Sequence, residues 1–159
     1  MNIKFSVIGK EYQKAVRKGK RAELIVKNYL GCQGFTVEDI SMSTHKGRFH
    51  PFDLEAVSPD GRRFIIQVKG RWSPILYYQV RRADLDEWNS YITDATKILV
   101  LVTKIRGILY ANISDIEPFG KISALPKNDI RVRGLPKEER VEMCYTLLYK
   151  NLKHLDELS

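Results

Sequence analysis

The sequence predicts an α/β fold, a mixed β-sheet flanked by helices, on three observations. First, Tyr12, Ala15, Val16, Gly19, Ala22, Val26, Tyr29 and Leu30 recur three and four residues apart, the stripe of an amphipathic helix over 12–30. Second, Phe52–Val57 alternates apolar and acidic residues. The turn sequence Ser58-Pro59-Asp60-Gly61 separates it from the apolar segment Phe64–Lys69, so the two segments read as a β-hairpin. Third, Lys97-Ile98-Leu99-Val100-Leu101-Val102-Thr103 is an almost unbroken apolar run, as in a strand covered on both faces.

The remaining elements follow in order. The first helix ends at Gly34-Phe35, and Phe35–Ile40 reads as a strand. Ser41–His50 is a polar, basic loop containing Gly47. Leu76–Val80 reads as a short extended piece. Arg82–Thr93 reads as a helix with Leu85, Trp88 and Ile92 on one face. Gly107 turns the chain into a strand at Ile108–Ile113. Residues 114–135 are weakly patterned and admit a strand at Ile130–Val132. Pro136 then suits the first turn of a C-terminal helix reaching about Leu155. Its apolar positions are Val141, Cys144, Tyr145, Leu148, Leu152 and Leu155. Such a stripe either packs on the chain's own sheet or forms a dimer seam.

The chain has 159 residues, the size of one domain. The expected domain is 1–159, with a core at about 12–117 and a C-terminal extension carrying the helix at about 136–155. Lys and Arg number 27 against 19 Asp and Glu, a net charge of +8, which favours a polyanionic partner. Cys32 and Cys144, and His45, His50 and His154, have no zinc-ligand spacing and imply no disulfide framework. The start Met1-Asn2-Ile3-Lys4-Phe5 lacks the apolar run of a signal peptide, and no segment has transmembrane length. The expected location is cytoplasmic, with no membrane partner.

The chemistry is concentrated at Pro51-Phe52-Asp53 and Gln67-Val68-Lys69. In a strand, residues i and i+2 share a face. Gln67 and Lys69 therefore point one way and Val68 points into the core, while Asp53 and Glu55 share a face of the preceding strand. The hairpin brings Asp53 beside Gln67. A divalent cation takes oxygen ligands, and a nearby lysine orients a water or neutralises developing phosphorane charge. An Asp on a strand is often only a solvated edge residue. Glu23 falls within the helix stripe, where a carboxylate must be paired, bound to a metal or placed at the stripe's edge.

Gly19-Lys20-Arg21-Ala22-Glu23, the helix end at Gly34-Phe35, the basic loop, Pro51-Phe52-Asp53 and Gln67-Val68-Lys69 together resemble the PD-(D/E)xK nuclease superfamily. Within it they are most similar to the archaeal Holliday-junction resolvases. The resemblance covers roughly residues 12–117, including Gly70-Arg71-Trp72, Tyr78-Gln79-Val80-Arg81-Arg82 and the helix that follows. It implies a restriction-endonuclease-like sheet and a Mg²⁺-dependent endodeoxyribonuclease, with Mn²⁺ able to substitute, acting in DNA recombination and repair. It implies Glu23 as the helix acid, Asp53 as the central metal ligand, Gln67 and the Val68 carbonyl as further ligands, and Lys69 as the catalytic lysine. The resolvases carry Glu at the position of Gln67. The amide oxygen of Gln67 can still bind a hard cation, and Mrr-like restriction nucleases are similar in carrying QxK. Glu55 either supplies the missing charge or is an exposed strand-end acid.

Basic residues cluster beside these motifs. Lys18 and Lys20 lie on the helix, Lys46, Arg48 and His50 in the loop before Asp53, and Arg71, Arg81 and Arg82 after Lys69. They are the expected contacts to a DNA backbone. Trp72, Tyr77 and Tyr78 either stack on bases or belong to the core. The leading expectation is a structure-specific, junction-cleaving homodimer with seams at Ile108–Ile113 or Val141–Leu155. A restriction, homing or repair endonuclease of the same superfamily is the second. A DNA-binding module that does not cleave is the third.

Overall fold

The structure, a computed structural model, describes residues 3–42, 44–45, 48–119, 121–126 and 141–158. Helix α1 spans Ile3–Cys32 and is followed by β1 (Thr36–Asp39), β2 (Thr44–His45), β3 (Arg48–Phe49), β4 (Leu54–Val57), β5 (Arg63–Arg71) and β6 (Tyr77–Arg81). Then come α2 (Arg82–Ser90), β7 (Thr96–Thr103), β8 (Gly107–Asn112), α3 (Ile113–Phe119), β9 (Lys121–Pro126) and β10 (Val141–Leu148). A 3₁₀ turn at Tyr149–Asn151, β11 (Lys153–His154) and a 3₁₀ turn at Leu155–Leu158 end the described chain.

Six strands form the central sheet in the order β1-β4-β5-β7-β8-β11. Only the β5–β7 pair is parallel, with Gln67 beside Leu99 and Lys69 beside Leu101. The expected mixed α/β sheet flanked by helices is present. One face buries Ala22, Val26 and Leu30 of α1 against Leu54, Phe64, Ile66, Val68, Ile98 and Val100. The other face buries Ile65, Leu99, Leu101 and Leu109 against Leu85 and Trp88 of α2, Ile113 and Ile116 of α3, and a second sheet. Burial of apolar area on both faces explains the unbroken apolar run of β7.

The end of α1 follows from its sequence. Gly34 adopts φ +88°, Gly34 N–H donates to Gly31 C=O at 3.1 Å and Phe35 N–H donates to Leu30 C=O at 3.0 Å. This is a Schellman termination, and it carries Phe35 straight into the core beside Leu30. Gly70 sets how closely the helix lies on the sheet. A Cβ there would stand 3.3 Å from the Ala22 methyl and 3.2 Å from the Trp72 indole nitrogen.

Three expectations are corrected. Residues from Val141 onward form a strand, not a helix: β10 is the middle of a sheet ordered β6-β10-β9. Tyr145, Leu147 and Tyr149, spaced by two, are buried together in the second core layer. The residues that a helical stripe would gather are dispersed, with Leu148 42% exposed and Leu155 in the opposite core layer. An apolar run of this length fits both periods, and strand pairing decided between them. Helix α2 stops at Ser90, which leaves Ile92 94% exposed. The two nominated dimer seams are largely internal, since Leu109, Tyr110, Ile113, Tyr145 and Leu147 are buried within this chain. The strand considered at Ile130–Val132 lies outside the described residues. Among the described residues no helix is long and apolar enough to cross a membrane.

Candidate functional site

Asp53 sits immediately before β4, at a point where the chain changes sides. Phe52 is buried in the layer of α2, and Leu54, two residues on, is buried in the layer of α1. Regular alternation would keep them on one face. The Asp53 N–H donates to Ile66 C=O at 2.9 Å, and its own C=O accepts from Ile40 N–H at 3.0 Å. The backbone of Asp53 is therefore held from both neighbouring strands. One carboxylate oxygen, Oδ2, accepts from Val68 N–H at 2.8 Å. The preceding segment is anchored as well. Phe52 N–H donates to His50 Nδ1 at 3.1 Å, and His50 Nε2 lies 2.9 Å from the Tyr91 hydroxyl. Since Nδ1 accepts, neutral His50 carries its proton on Nε2 and donates it to Tyr91.

Glu23 reaches the same place from α1, its side chain 14% exposed. The Glu23 carboxylate comes near enough to act on the Asp53 carboxyl. Burial first, and then the Glu23 charge, push Asp53 up to about 6, against the opposing pull of Val68 N–H and the Lys69 ammonium. Two acids from elements thirty residues apart in sequence are thus forced together. Gln67 is 8% exposed, and the β4–β5 register, with Leu54 opposite Ile66, carries it beside Asp53. Lys69 follows on the same face, half-buried.

Lys20, expected as a backbone contact, is occupied at this site. Its ammonium is 3.2 Å from Glu23 Oε2, 3.2 Å from Ser41 Oγ and 3.9 Å from Asp39 Oδ2. Burial depresses its pKa, but Glu23, Asp39 and Asp53 outweigh that and hold it above its ordinary value. Asp39 in turn is lowered: its burial is outweighed by two hydrogen bonds from Ser41 and by the charges of Lys20 and Lys27. Asp39 and Ser41 were not singled out from the sequence. Their only signal there is a position at the end of the strand that precedes the basic loop.

The other candidates divide. Glu55 does not join Asp53: it accepts from Arg63 at 3.0 Å, and Arg63 also donates to Asp94 at 2.7 Å. Arg81 is clamped by both oxygens of Asp84 at 3.0 and 3.1 Å. Arg71 lies over the Tyr78 ring, 5.2 Å from its centroid, and Arg21 over Trp72 at 5.4 Å. Tyr78 and Trp72 are partly buried core neighbours. Lys18 and Arg82 are exposed. Lys46 and the side chain of Arg48 lie outside the described residues.

A hard divalent cation fits the donor set of this cluster. Its oxygens come from two carboxylates, an amide and backbone carbonyls, as Mg²⁺ accepts when it keeps part of its water shell. Among the described residues no group of three or more His, Cys, Asp or Glu could hold a metal ion, so a site here rests on two acids and neutral oxygens. A cavity of about 700 Å³ lies elsewhere, lined by Tyr110, Asn112, Asp115, Leu147, Leu152 and Lys153. It contains neither Asp53 nor Glu23, so the chemistry points to the carboxylate cluster and not to this cavity.

No protein-family model matches the sequence, and no curated protein is similar enough to match it. Among solved structures, the fold is similar to that of Hjc, a Holliday junction resolvase from Archaeoglobus fulgidus. The TM-score is 0.57 at 12% identity, over 89% of this chain and 94% of that one. At this identity the likeness is one of fold.

Proposed function

We propose that the protein is a metal-dependent DNA endonuclease with a PD-(D/E)xK-type site, acting on branched DNA. The observation that carries this reading is the convergence of Asp53, Glu23, Gln67 and Lys69, with Asp53 pushed up by burial and by the Glu23 charge. Two half-buried carboxylates converge beside Gln67 and Lys69, and a divalent cation would satisfy them together. The likeness in fold to a resolvase supports the same reading.

In this reading Asp53, Glu23, the Gln67 amide oxygen and the Val68 carbonyl hold Mg²⁺ or Mn²⁺. The ion, when bound, polarises the scissile phosphate and acidifies a water. Val68 N–H fixes the rotamer of Asp53, leaving the other oxygen for the ion. Lys20 holds Glu23 in place through its 3.2 Å contact. Lys69 orients the attacking water and neutralises charge on the phosphate. Gln67 in place of an acid gives the second reading its footing, a restriction, homing or repair endonuclease on the same scaffold. A non-cleaving module is disfavoured, since Glu23, Asp53 and Lys69 are all kept.

The test is incubation with Mg²⁺ or Mn²⁺ and a panel of four-way junction, flap, linear duplex and single-stranded DNA. Paired nicks in the junction, with linear duplex spared, are expected, and so is a homodimer by sedimentation, because two symmetric strands need two sites. Cutting of linear duplex at a fixed sequence would move the assignment to the second reading. No cleavage of any substrate with either metal would remove the nuclease reading.

A further inference from the structure

The Phe52 N–H lies outside the strand ladder, since β4 begins at Leu54, and Phe52 itself is fully buried. A buried donor at such a point needs a partner. The chain supplies a side chain: Nδ1 of His50 accepts from it at 3.1 Å. The other ring nitrogen of His50 is 2.9 Å from the Tyr91 hydroxyl. Tyr91 is the C-cap of α2, and it packs against the core layer that holds Leu85 and Trp88. The three rings also meet. The His50 and Tyr91 centroids are 4.8 Å apart at 61°, Phe52 and Tyr91 5.6 Å at 59°, and His50 and Phe52 6.3 Å at 61°, within the range of favourable edge contacts. Two rings of this cluster sit on the segment that leads into Asp53, and the third sits at the end of α2. Bonding within the chain leaves His50 no ring nitrogen for the DNA contact expected of it from the sequence.

We propose that His50 and Tyr91 are positioning residues for the divalent cation: through Phe52 N–H they set the direction in which Asp53 presents its carboxylate. This rests on the nuclease reading above. The chain crosses from the α2 layer to the α1 layer between Phe52 and Leu54, so the course of the main chain here decides where the Asp53 side chain points. Three consecutive peptide groups are hydrogen-bonded at this crossing. The Asp53 C=O accepts from Ile40 N–H and the Asp53 N–H donates to Ile66 C=O, both to backbone of the central sheet or its edge. The third, the peptide that carries Phe52 N–H, is held by the His50 ring alone among the described residues. Tyr91 in turn keeps that ring from rotating. With the third peptide released, the crossing at Phe52 loosens, and the Asp53 bond to Ile66, which lies just outside the β4 ladder, loosens with it. Orientation of a metal ligand depends on such outer partners, and their loss lowers metal affinity. Neither His50 nor Tyr91 contributes a ligand, so their removal weakens the site without deleting a donor from it.

The test is Mn²⁺ binding to the DNA-free protein by calorimetry, for wild type, His50→Asn, His50→Gln and Tyr91→Phe, at a temperature where circular dichroism shows each one folded. The side-chain oxygen of Asn stands where Nδ1 stands and accepts from the N–H two residues on. The Gln amide stands where Nε2 stands, and so keeps the Tyr91 partner but not the Phe52 one. His50→Gln should weaken Mn²⁺ binding about 10-fold. Tyr91→Phe, which keeps the ring and loses one hydrogen bond, should weaken it about 3-fold, and His50→Asn by no more than that. In cleavage assays the Mn²⁺ needed for half-maximal rate should rise by the same factors, and excess Mn²⁺ should restore most of the rate. Junction affinity without metal should stay as in wild type. A wild type that binds Mn²⁺ and cuts DNA, with all three variants binding Mn²⁺ equally well, overturns the positioning role and leaves the nuclease reading standing. A wild type that neither binds Mn²⁺ nor cuts overturns both. A His50→Asn that binds Mn²⁺ no better than His50→Gln overturns the route through Phe52 N–H, and the proposal with it. So does a His50→Gln that loses junction affinity while it holds Mn²⁺ normally, because His50 is then a DNA contact.

Discussion

Asp53 and Glu55 lie two residues apart, one just before β4 and one within it, and meet opposite fates. Glu55 faces Arg63, which also holds Asp94, in a half-exposed ion network. Asp53 faces Glu23 and is pushed up to about 6 by burial and by that second acid. Residues of the same charge, two positions apart, thus divide into a satisfied pair and a frustrated one. A carboxylate against an arginine needs nothing further, and at an exposed position it contributes little. A buried carboxylate against another acid is destabilising at neutral pH until a cation or a proton arrives. The contrast locates the reactive end of the hairpin more firmly than either residue type does.

The comparison can be broken most directly by substitution. Asp53→Ala should lower metal-dependent cleavage by at least about 100-fold, the scale of one preorganised electrostatic group, while junction binding stays largely intact. Glu55→Ala should leave the cleavage rate unchanged within about 2-fold, as expected for a residue outside the electrostatic site. Equal losses in single-turnover assays of the two variants would erase the distinction.

A second acid at the site should sharpen it. Gln67→Glu adds a carboxylate beside the existing pair. In metal-free protein at neutral pH it should cost about 1–3 kcal/mol, read as a lower melting temperature. Mg²⁺ or Mn²⁺ should restore that loss, because the added ligand tightens metal binding. A loss of stability that neither ion recovers would mean that Gln67 packs in the core and binds no metal.

The pH dependence follows from the sign of the Asp53 shift. Its folded value, about 6, lies above the ordinary 3.8, so the folded state holds the proton more tightly than the unfolded state. The stabilising contribution is full below the ordinary value, falls as pH rises through the window to about 6, and is gone above it. The upper bound is about 3 kcal/mol. Metal-free wild type should therefore lose stability from acid to neutral pH relative to Asp53→Asn, whose amide oxygen can still accept from Val68 N–H. Added Mg²⁺ should raise the wild-type melting temperature more at pH 7.5 than at pH 5.5, with little effect on Asp53→Asn. Parallel melting curves for the two proteins across this range would contradict the Asp53–Glu23 repulsion.

The smallest effect belongs to the satisfied pair. Arg63→Ala should cost no more than about 1 kcal/mol and should leave metal binding and cleavage unchanged. A larger loss on thermal melting would show that the Glu55–Arg63–Asp94 network carries more of the fold than its exposure implies.

Most elements through residue 112 were legible in the sequence, because they depend on local chemistry, whereas the short β2–β3 pair at Thr44–His45 and Arg48–Phe49 lies in what read as a loop. The helix stripe, the Gly34 stop, the Pro59-Asp60-Gly61 turn and the apolar run of β7 are all short-range signals. The adjacency of Asp53 and Gln67 was legible too, since a tight turn sets the register of the strands it joins. The tertiary structure alone decided what covers each face. It joined Glu23 to Asp53 across α1 and β4, sent Glu55 to Arg63, and drew Lys20 in among Asp39, Ser41 and Glu23. It made a strand of Val141–Leu148, because β6 and β9 were there to pair with it. The physical reason is that periodicity reports which residues of an element share a face. Which remote element meets that face depends on backbone pairing and burial, and these are settled only when the whole chain packs.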